Sequence, residues 1–349
     1  MSKNIVLCLD GTGNQIKAKA SSNVVGLYEI LDLSDPARQV AFYDPGVGTF
    51  GAQGAWTSFG RGLTKVLGLT FGFGIKVNIA EAYTFLMQAY EPGDRIFVFG
   101  FSRGAYAARA LVGMAYRGGL MRRGAENLVP YLVSAYTKGN SWSKDDWVKI
   151  DRFAESFSVQ TDGSHALPIH FLGLWDSVKA LGILRWNPHW LYTRQLPNAR
   201  VIRHAVSIDE RRRPYREYLV EPTEKSDLRE VWFAGVHSDV GGGFKDGIEL
   251  ATVALKWMAD RAVEEGLLLR GPAYARACAV GAGHALGPVH RAGWIWGLLT
   301  FRDRPIEPAQ PRIHQSVKDR AAADATYQIS VDPGQVQWDD PDWLAPHEI

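Results

Sequence analysis

The sequence predicts an α/β fold, a mostly parallel sheet with helices on both faces. Three observations carry this. Four short runs, Asn4–Leu9, Arg95–Phe101, Ile169–Leu174 and Glu230–Ala234, are almost continuously apolar and stop at Gly, Ser or Asp. A strand covered on both faces has no reason to alternate apolar and polar residues, so such runs suit a buried parallel sheet. Segments with helical spacing lie between them, and strands alternating with helices are the pattern of α/β folds.

Taken in order, NIVLCL is the first strand, and Ser22 is placed to cap a helix over Asn23–Leu31. Gln39–Tyr43 is a fifth, weaker strand candidate. Gly74–Tyr90 sets Ile75, Ile79, Tyr83 and Leu86 on one helical face. The strand RIFVFGF leads into an Ala-rich helix, Arg103–Tyr116, carrying Leu111 and Val112. Residues 119–165 interrupt the alternation with polar helical stretches, among them Ser143–Phe153. After IHFLGL and EVWFA, a helix over Ile248–Glu265 buries Val253, Leu255 and Trp257 and stops at Gly266. Residues 303–312 (RDRPIEPAQP) read as an extended linker or loop. Gly60–Gly74 and Gly293–Phe301 are apolar and suit either core packing or a lipid-facing flap. The expected organisation is one domain over residues 1–349, with 119–165 and 270–312 as cap or insertion segments.

The chain has 349 residues, enough for a sizeable core, with 46% hydrophobic and 22% charged residues. A net charge of +2 supplies no electrostatic argument for a nucleic-acid partner. Two cysteines, Cys8 and Cys278, build neither a Cys-only metal cluster nor a disulfide framework. No apolar run reaches the length of a bilayer span, and Ile5–Leu9 is too short for a signal-peptide core. The expected location is therefore cytoplasmic as synthesised.

The sharpest motif is Gly100-Phe101-Ser102-Arg103-Gly104, a G-x-S-x-G between a hydrophobic strand and a helix. Glycines flank the serine because side chains there would collide with the neighbouring strand and helix. The helix start favours a developing anion, and the Arg103 N–H is one expected oxyanion donor. Ser102 needs a base. His237, after EVWFAGV, sits where a parallel sheet collects its functional groups, past the carboxyl end of a strand. His314 is the reserve and His170 is expected to be packed in a strand. Asp176, ending IHFLGLWDS, is the expected acid that orients His237. Asp239 is its rival, two residues from His237 and better suited to structuring the loop. Asp209 is expected in a solvated turn. Asp10-Gly11-Thr12-Gly13-Asn14 follows the first strand. Its N–H groups near Gly11 and Thr12 suit an oxyanion hole, while a plain turn and a phosphate cradle are the other readings.

Taken together, LCLDGTGN, YDPGVGT (Tyr43–Thr49), GFSRGAYAAR (Gly100–Arg109), GLWDSV (Gly173–Val178), IDERR (Ile208–Arg212), WFAGVHSDVGGG (Trp232–Gly243) and IHQSV (Ile313–Val317) resemble the type VI secretion lipase effectors and their uncharacterised bacterial and fungal relatives. The resemblance runs from residue 4 to about 320. It implies an α/β-hydrolase-like fold and a serine esterase or phospholipase acting on lipid acyl esters. It also implies peripheral membrane contact, export by a specialised secretion system, and Ser102, Asp176 and His237 as the working residues. This chemistry requires no cofactor. Two other readings compete. One is a metal-assisted phosphoesterase using Asp10, His237 and Asp239. The other is a hydrolase-like binding protein in which Ser102 is only a turn and Trp294–Trp296 is a partner surface.

Overall fold

The computed structural model describes residues 2–11, 21–46, 63–138, 142–160, 163–179, 190–290, 302–307 and 309–349, with residues 63–73 and 214 as backbone only. Its strands are β1 (Asn4–Leu9), β2 (Gln39–Asp44), β3 (Arg95–Phe101), β4 (Ile169–Trp175), β5 (Ala199–Ser207), β6 (Asp227–Phe233), β7 (Arg312–His314) and β8 (Gln337–Asp339). They form one sheet in the order β2-β1-β3-β4-β5-β6-β7-β8, and every neighbouring pair is parallel. The expected α/β-hydrolase-like architecture is the one observed.

Each central strand divides its residues between two cores, as the two-residue strand period demands. Ile5, Leu7, Leu9, Ile96, Val98, Leu172 and Leu174 face one core. Val6, Cys8, Phe97, Phe99, Phe101, Phe171 and Trp175 face the other. Helices α2 (Leu63–Ala89) and α3 (Arg103–Gly118) cover the first face. Alanines 105, 107, 108 and 110 are buried there, so α3 lies close against the sheet. Helices α4 (Val129–Tyr136) and α5 (Lys144–Phe157) make up the polar stretch within 119–165, and Val129, Leu132, Val133 and Ile150 dock them on the same core. On the opposite face lie α1 (Asn23–Ile30), capped by Ser22 as expected, with α7 (Glu249–Glu264) and α8 (Gly271–Ala277). Between β6 and α7 is the short α6 (His237–Gly241), and α9 (Gln315–Ala323) follows β7.

Three strands escape the sequence pattern. Arg203 and His204 break the apolar run of β5, and the structure pairs both with β6: Arg203 Nη2 with Asp227 Oδ2 at 2.7 Å, and His204 Nδ1 with Glu230 Oε2 at 2.7 Å. β7 and β8 have three residues each, too few for a periodic signal. α2 begins at Leu63 rather than Gly74. Within 303–312, expected as an extended linker or loop, the described residues 303–307 form no helix or strand and, with Arg302, run as a strap beside β6 and the loop after β5. Arg302 N–H donates to the Arg211 carbonyl at 2.9 Å, the Trp232 indole donates to the Glu307 carbonyl at 3.2 Å, and Arg304 between them is buried. The stretch Gly60–Gly74, apart from Gly74 itself, and the stretch Gly293–Phe301 with Trp294 and Trp296 lie outside the described side chains.

Register sets up the site. Gly100 pairs with Leu9 on one side and Leu174 on the other. The next residues of β1, β3 and β4 therefore emerge at one carboxyl rim, where parallel sheets place their ligands.

Candidate active site

Ser102 stands at the turn between β3 and α3 with φ 58° and ψ −120°, a left-handed backbone that a non-glycine residue rarely adopts. The surroundings force it. Ser102 N–H donates to the Trp175 carbonyl at 3.1 Å, and the Ser102 carbonyl accepts from Tyr106 N–H at 3.3 Å. A Cβ on Gly100 would stand 2.7 Å from the Ala105 Cα, and one on Gly104 would stand 2.2 Å from the Leu9 carbonyl oxygen. The glycine spacing therefore has the steric cause expected of it. The Ser102 hydroxyl meets His237 Nε2 at 2.8 Å.

His237 follows β6 and opens α6, as its place after EVWFAGV requires. Its ring is buried between Phe101 (centroids 4.7 Å) and Tyr215 (4.8 Å). Nδ1 contacts Asp176 Oδ2 at 2.5 Å. The backbone N–H of His237 donates to Glu210 Oε2 at 3.2 Å, and Arg212 Nη2 holds that carboxylate at 2.6 Å. Arg212 also lies over the Tyr215 ring at 3.9 Å.

Asp176 follows β4 with φ 36° and is 1% exposed. Ser207 N–H donates to its Oδ1 at 2.9 Å. Arg304 donates from Nη1 to Oδ1 at 2.6 Å and from Nη2 to Oδ2 at 3.1 Å. Burial works to raise the Asp176 pKa. The Arg304 charge, and then the His237 contact, outweigh it and hold the carboxyl well below the usual carboxylate range. An ionised Asp176 accepts a hydrogen bond from Nδ1–H, which keeps the proton on Nδ1 and leaves Nε2 as the acceptor facing Ser102.

The oxyanion candidates divide. Arg103 is the first residue of α3, so its N–H lies one residue past Ser102 at a helix start. Gly11 N–H donates to Asp10 Oδ1 at 2.7 Å, which corrects the expectation that this donor faces a ligand. Thr12 lies outside the described residues. Asp10 organises its loop: Oδ2 also accepts from Ser22 Oγ at 2.5 Å and Tyr43 OH at 3.1 Å.

The reserve residues fall elsewhere. Asp239 Oδ1 bonds His290 Nδ1 at 2.6 Å, and Oδ2 accepts from Val236 N–H at 2.9 Å, a loop-structuring place. His314 is buried, stacks on Phe233 and caps α9 by accepting from Ser316 N–H at 3.2 Å. Asp10, Asp239 and His237, the set considered for a metal, are each committed to separate partners. Among the described residues no three His, Cys, Asp or Glu side chains are placed to hold a metal ion. His170, at the start of β4, bonds the Glu265 carbonyl at 3.0 Å. Asp209 is not in a solvated turn: Gly235 N–H and Tyr327 OH donate to its Oδ2 at 2.6 and 2.9 Å. Both cysteines are buried, and burial first and then neighbouring aspartates push their thiols up, Cys278 to about 12. Neither is a competing nucleophile.

Sequence reasoning missed Arg304, Glu210 and Tyr215. IDERR marks Glu210 as part of a motif without giving it a role, and nothing local marks Arg304, set among prolines 71 residues beyond the end of β6.

The family described as "T6SS, Phospholipase effector Tle1-like, catalytic domain" matches residues 3–261. An uncharacterised protein of Saccharomyces cerevisiae is 37% identical over 226 residues, 63% of this chain and 33% of its own length. The crystal structure of an uncharacterised protein from Pseudomonas aeruginosa superposes with TM-score 0.46 at 19% identity, over 82% of this chain and 50% of that one. The structure of the Tle1 effector bound to the VgrG spike from the type 6 secretion system superposes with TM-score 0.43 at 21% identity, over 70% of this chain and 51% of that one. The chain thus spans about a third of the yeast protein and about half of each solved chain. With most of its length matched, including β1 to β6, Ser102, Asp176 and His237, the chain belongs to the Tle1-like catalytic-domain family of type VI secretion phospholipase effectors.

Proposed function

We propose that the protein is a serine hydrolase that cleaves carboxylic esters of lipids, phospholipid acyl esters above all, through an acyl-enzyme. The observation that carries this is the unbroken contact line Ser102 Oγ–His237 Nε2–His237 Nδ1–Asp176 Oδ2, at 2.8 and 2.5 Å. Ser102 Oγ attacks the ester carbonyl while His237 Nε2 takes its proton. The tetrahedral oxyanion rests on the Arg103 N–H at the start of α3. As the intermediate collapses, the imidazolium returns the proton to the leaving alcohol, and Ser102 keeps the acyl group. Water then attacks that ester with His237 again as base, releasing the fatty acid. Asp176 stays ionised throughout and stabilises the imidazolium. The phospholipid class rests on family membership, and the serine chemistry rests on the site geometry.

The test is fluorophosphonate labelling with the labelled residue identified by mass spectrometry, followed by turnover of a panel of acyl esters and phospholipids. Label on Ser102 is expected, lost in Ser102→Ala with an unchanged melting temperature. Asp176→Asn and His237→Ala should each lower turnover by roughly 10³-fold or more. Full ester turnover in Ser102→Ala would end the reading.

A further inference from the structure

We infer that Arg304 is a positioning residue for the Ser102 reaction: it holds the Asp176 carboxylate charged and aimed at His237, and so sets the acid limit of activity. This rests on the serine-hydrolase reading above.

The geometry is that of a dedicated clamp. Arg304 is 5% exposed, and both terminal nitrogens reach Asp176, one to each carboxylate oxygen. Nη1 also donates to the Ser207 carbonyl at 3.1 Å and Ser207 Oγ at 2.8 Å, and Nη2 donates to the Tyr215 carbonyl. One guanidinium thus joins the residue after β4, the end of β5 and the loop that lays Tyr215 on His237. Planarity matters here, because a forked donor fixes the carboxylate plane, which an ammonium does not. Asp176 must accept Nδ1–H along one direction if Nε2 is to point at Ser102. The clamp therefore orients the base through the acid, without itself touching substrate.

Charge gives the second effect. A carboxylate this buried tends to take up a proton, and the Asp176–His237 couple loses its function once it holds one too many. The fixed positive charge of Arg304 opposes that extra proton. The other charged or titratable groups around the couple come from each packed element. Glu217 lies 3.7 Å from Arg304 Nε, and Glu210, paired with Arg212, accepts the His237 backbone N–H. Tyr215 lies on the His237 ring, with Arg103 of α3 close enough to feel it. His204 of β5 accepts Ser177 N–H at 3.2 Å and bonds Glu230, and Asp239 of α6 is taken up by His290. Among the described residues, the ion pairs of Asp176 are with Arg304 and His237. Neutralising Arg304 moves the couple's proton uptake to higher pH whichever partner receives the proton.

The experiment is the rate of fluorophosphonate labelling across pH 4 to 9 for the full chain and for Arg304→Met, Arg304→Gln and Arg304→Lys. In this reaction Ser102 Oγ bonds to phosphorus, fluoride leaves and His237 takes the proton, so the rate reads the site without a lipid substrate. In both neutral variants the acid limb should move up by about one pH unit or more. Their rate at pH 7 should fall by roughly 10²-fold. Arg304→Lys should keep the limb near its original place and recover only part of the rate, having charge without the fork. A residue that merely pins the strap would change melting temperature and labelled yield, and leave the limb in place. Neutral variants with the parent limb and rate would overturn the proposal. If neither neutral variant folds, Arg304→Lys decides by its rate, and a parental value overturns it. A parent protein that does not label at Ser102 would bring down the serine-hydrolase reading and this one together, whereas a labelled parent with an indifferent Arg304 sinks this one alone.

Discussion

At Gly104 the room for a side chain is already occupied by the Leu9 and Asp10 carbonyl oxygens, 2.2 and 2.5 Å from where a Cβ would sit. Gly104→Ala must therefore push β1 away from α3 or flatten the turn at Ser102. A loss of about 1–3 kcal/mol is expected, as for overpacking elsewhere, with labelling at Ser102 falling more steeply than stability. Denaturant melts alongside labelling rates check this, and parental values for both would contradict the steric account. Asp44, at the end of β2, makes a pH-dependent prediction. Burial first, then Glu81 and Asp10, push its carboxyl up to about 6 against the Gly46 N–H that opposes them. A folded-state pKa raised above the unfolded value means that folding takes up a proton. That stabilisation is complete below the ordinary pKa of 3.8 and is lost as pH rises through about 6. Asp44→Asn should accordingly gain on the order of 2–3 kcal/mol over the parent at pH 8, the gap closing near pH 4. A gap that does not depend on pH would contradict it.

Among the elements, α1 is tied to the site through its cap. Ser22 Oγ accepts from Val25 N–H at 3.3 Å and donates to Asp10 Oδ2 at 2.5 Å, while its backbone bridges to Gly242 beyond α6. Ser22→Ala should cost about 1–2 kcal/mol in thermal or chemical unfolding. It should also slow labelling, since the loops after β1 and β6 both lose an anchor; a slowed melt without any change in labelling would confine the role to capping. Elements of this kind differ in how far the sequence exposes them. Ser102, Asp176 and His237 were legible because each punctuates an apolar strand, and the strand end is where parallel sheets work. β5 was not legible, because Arg203 and His204 look like surface residues until Asp227 and Glu230 on β6 neutralise them. Arg304 was invisible for a related reason. Its partners lie 128, 97 and 89 residues away. No local pattern encodes an ion pair closed over that distance. Gly11 stayed ambiguous between an oxyanion donor and a plain turn because a free loop N–H and one folded back on Asp10 have the same sequence.

At the scale of the whole molecule, the site draws on residues from Ser102 to Arg304, whereas the family match stops at 261. A chain cut after residue 261 would lose β7, β8, α9 and the cation on Asp176. It would also leave Val206, Trp232, Ala234 and Leu250 without their partners Ile313 and Val317. Such a fragment is expected to be insoluble and unlabelled by fluorophosphonate, checked by soluble yield and label stoichiometry. A well-behaved, labelled fragment would mean that the last strands and the strap are dispensable. The uniform strand direction has one more practical consequence. Ser102, Asp176 and His237 all follow the carboxyl ends of their strands, while Lys3, joined to Asp94 at 2.5 Å, marks the opposite end. A six- or seven-residue strand puts roughly 20 Å between those ends. Grafting a dye, a bead or a lipid tether onto the Lys3 side would leave the rim that carries Ser102 unobstructed.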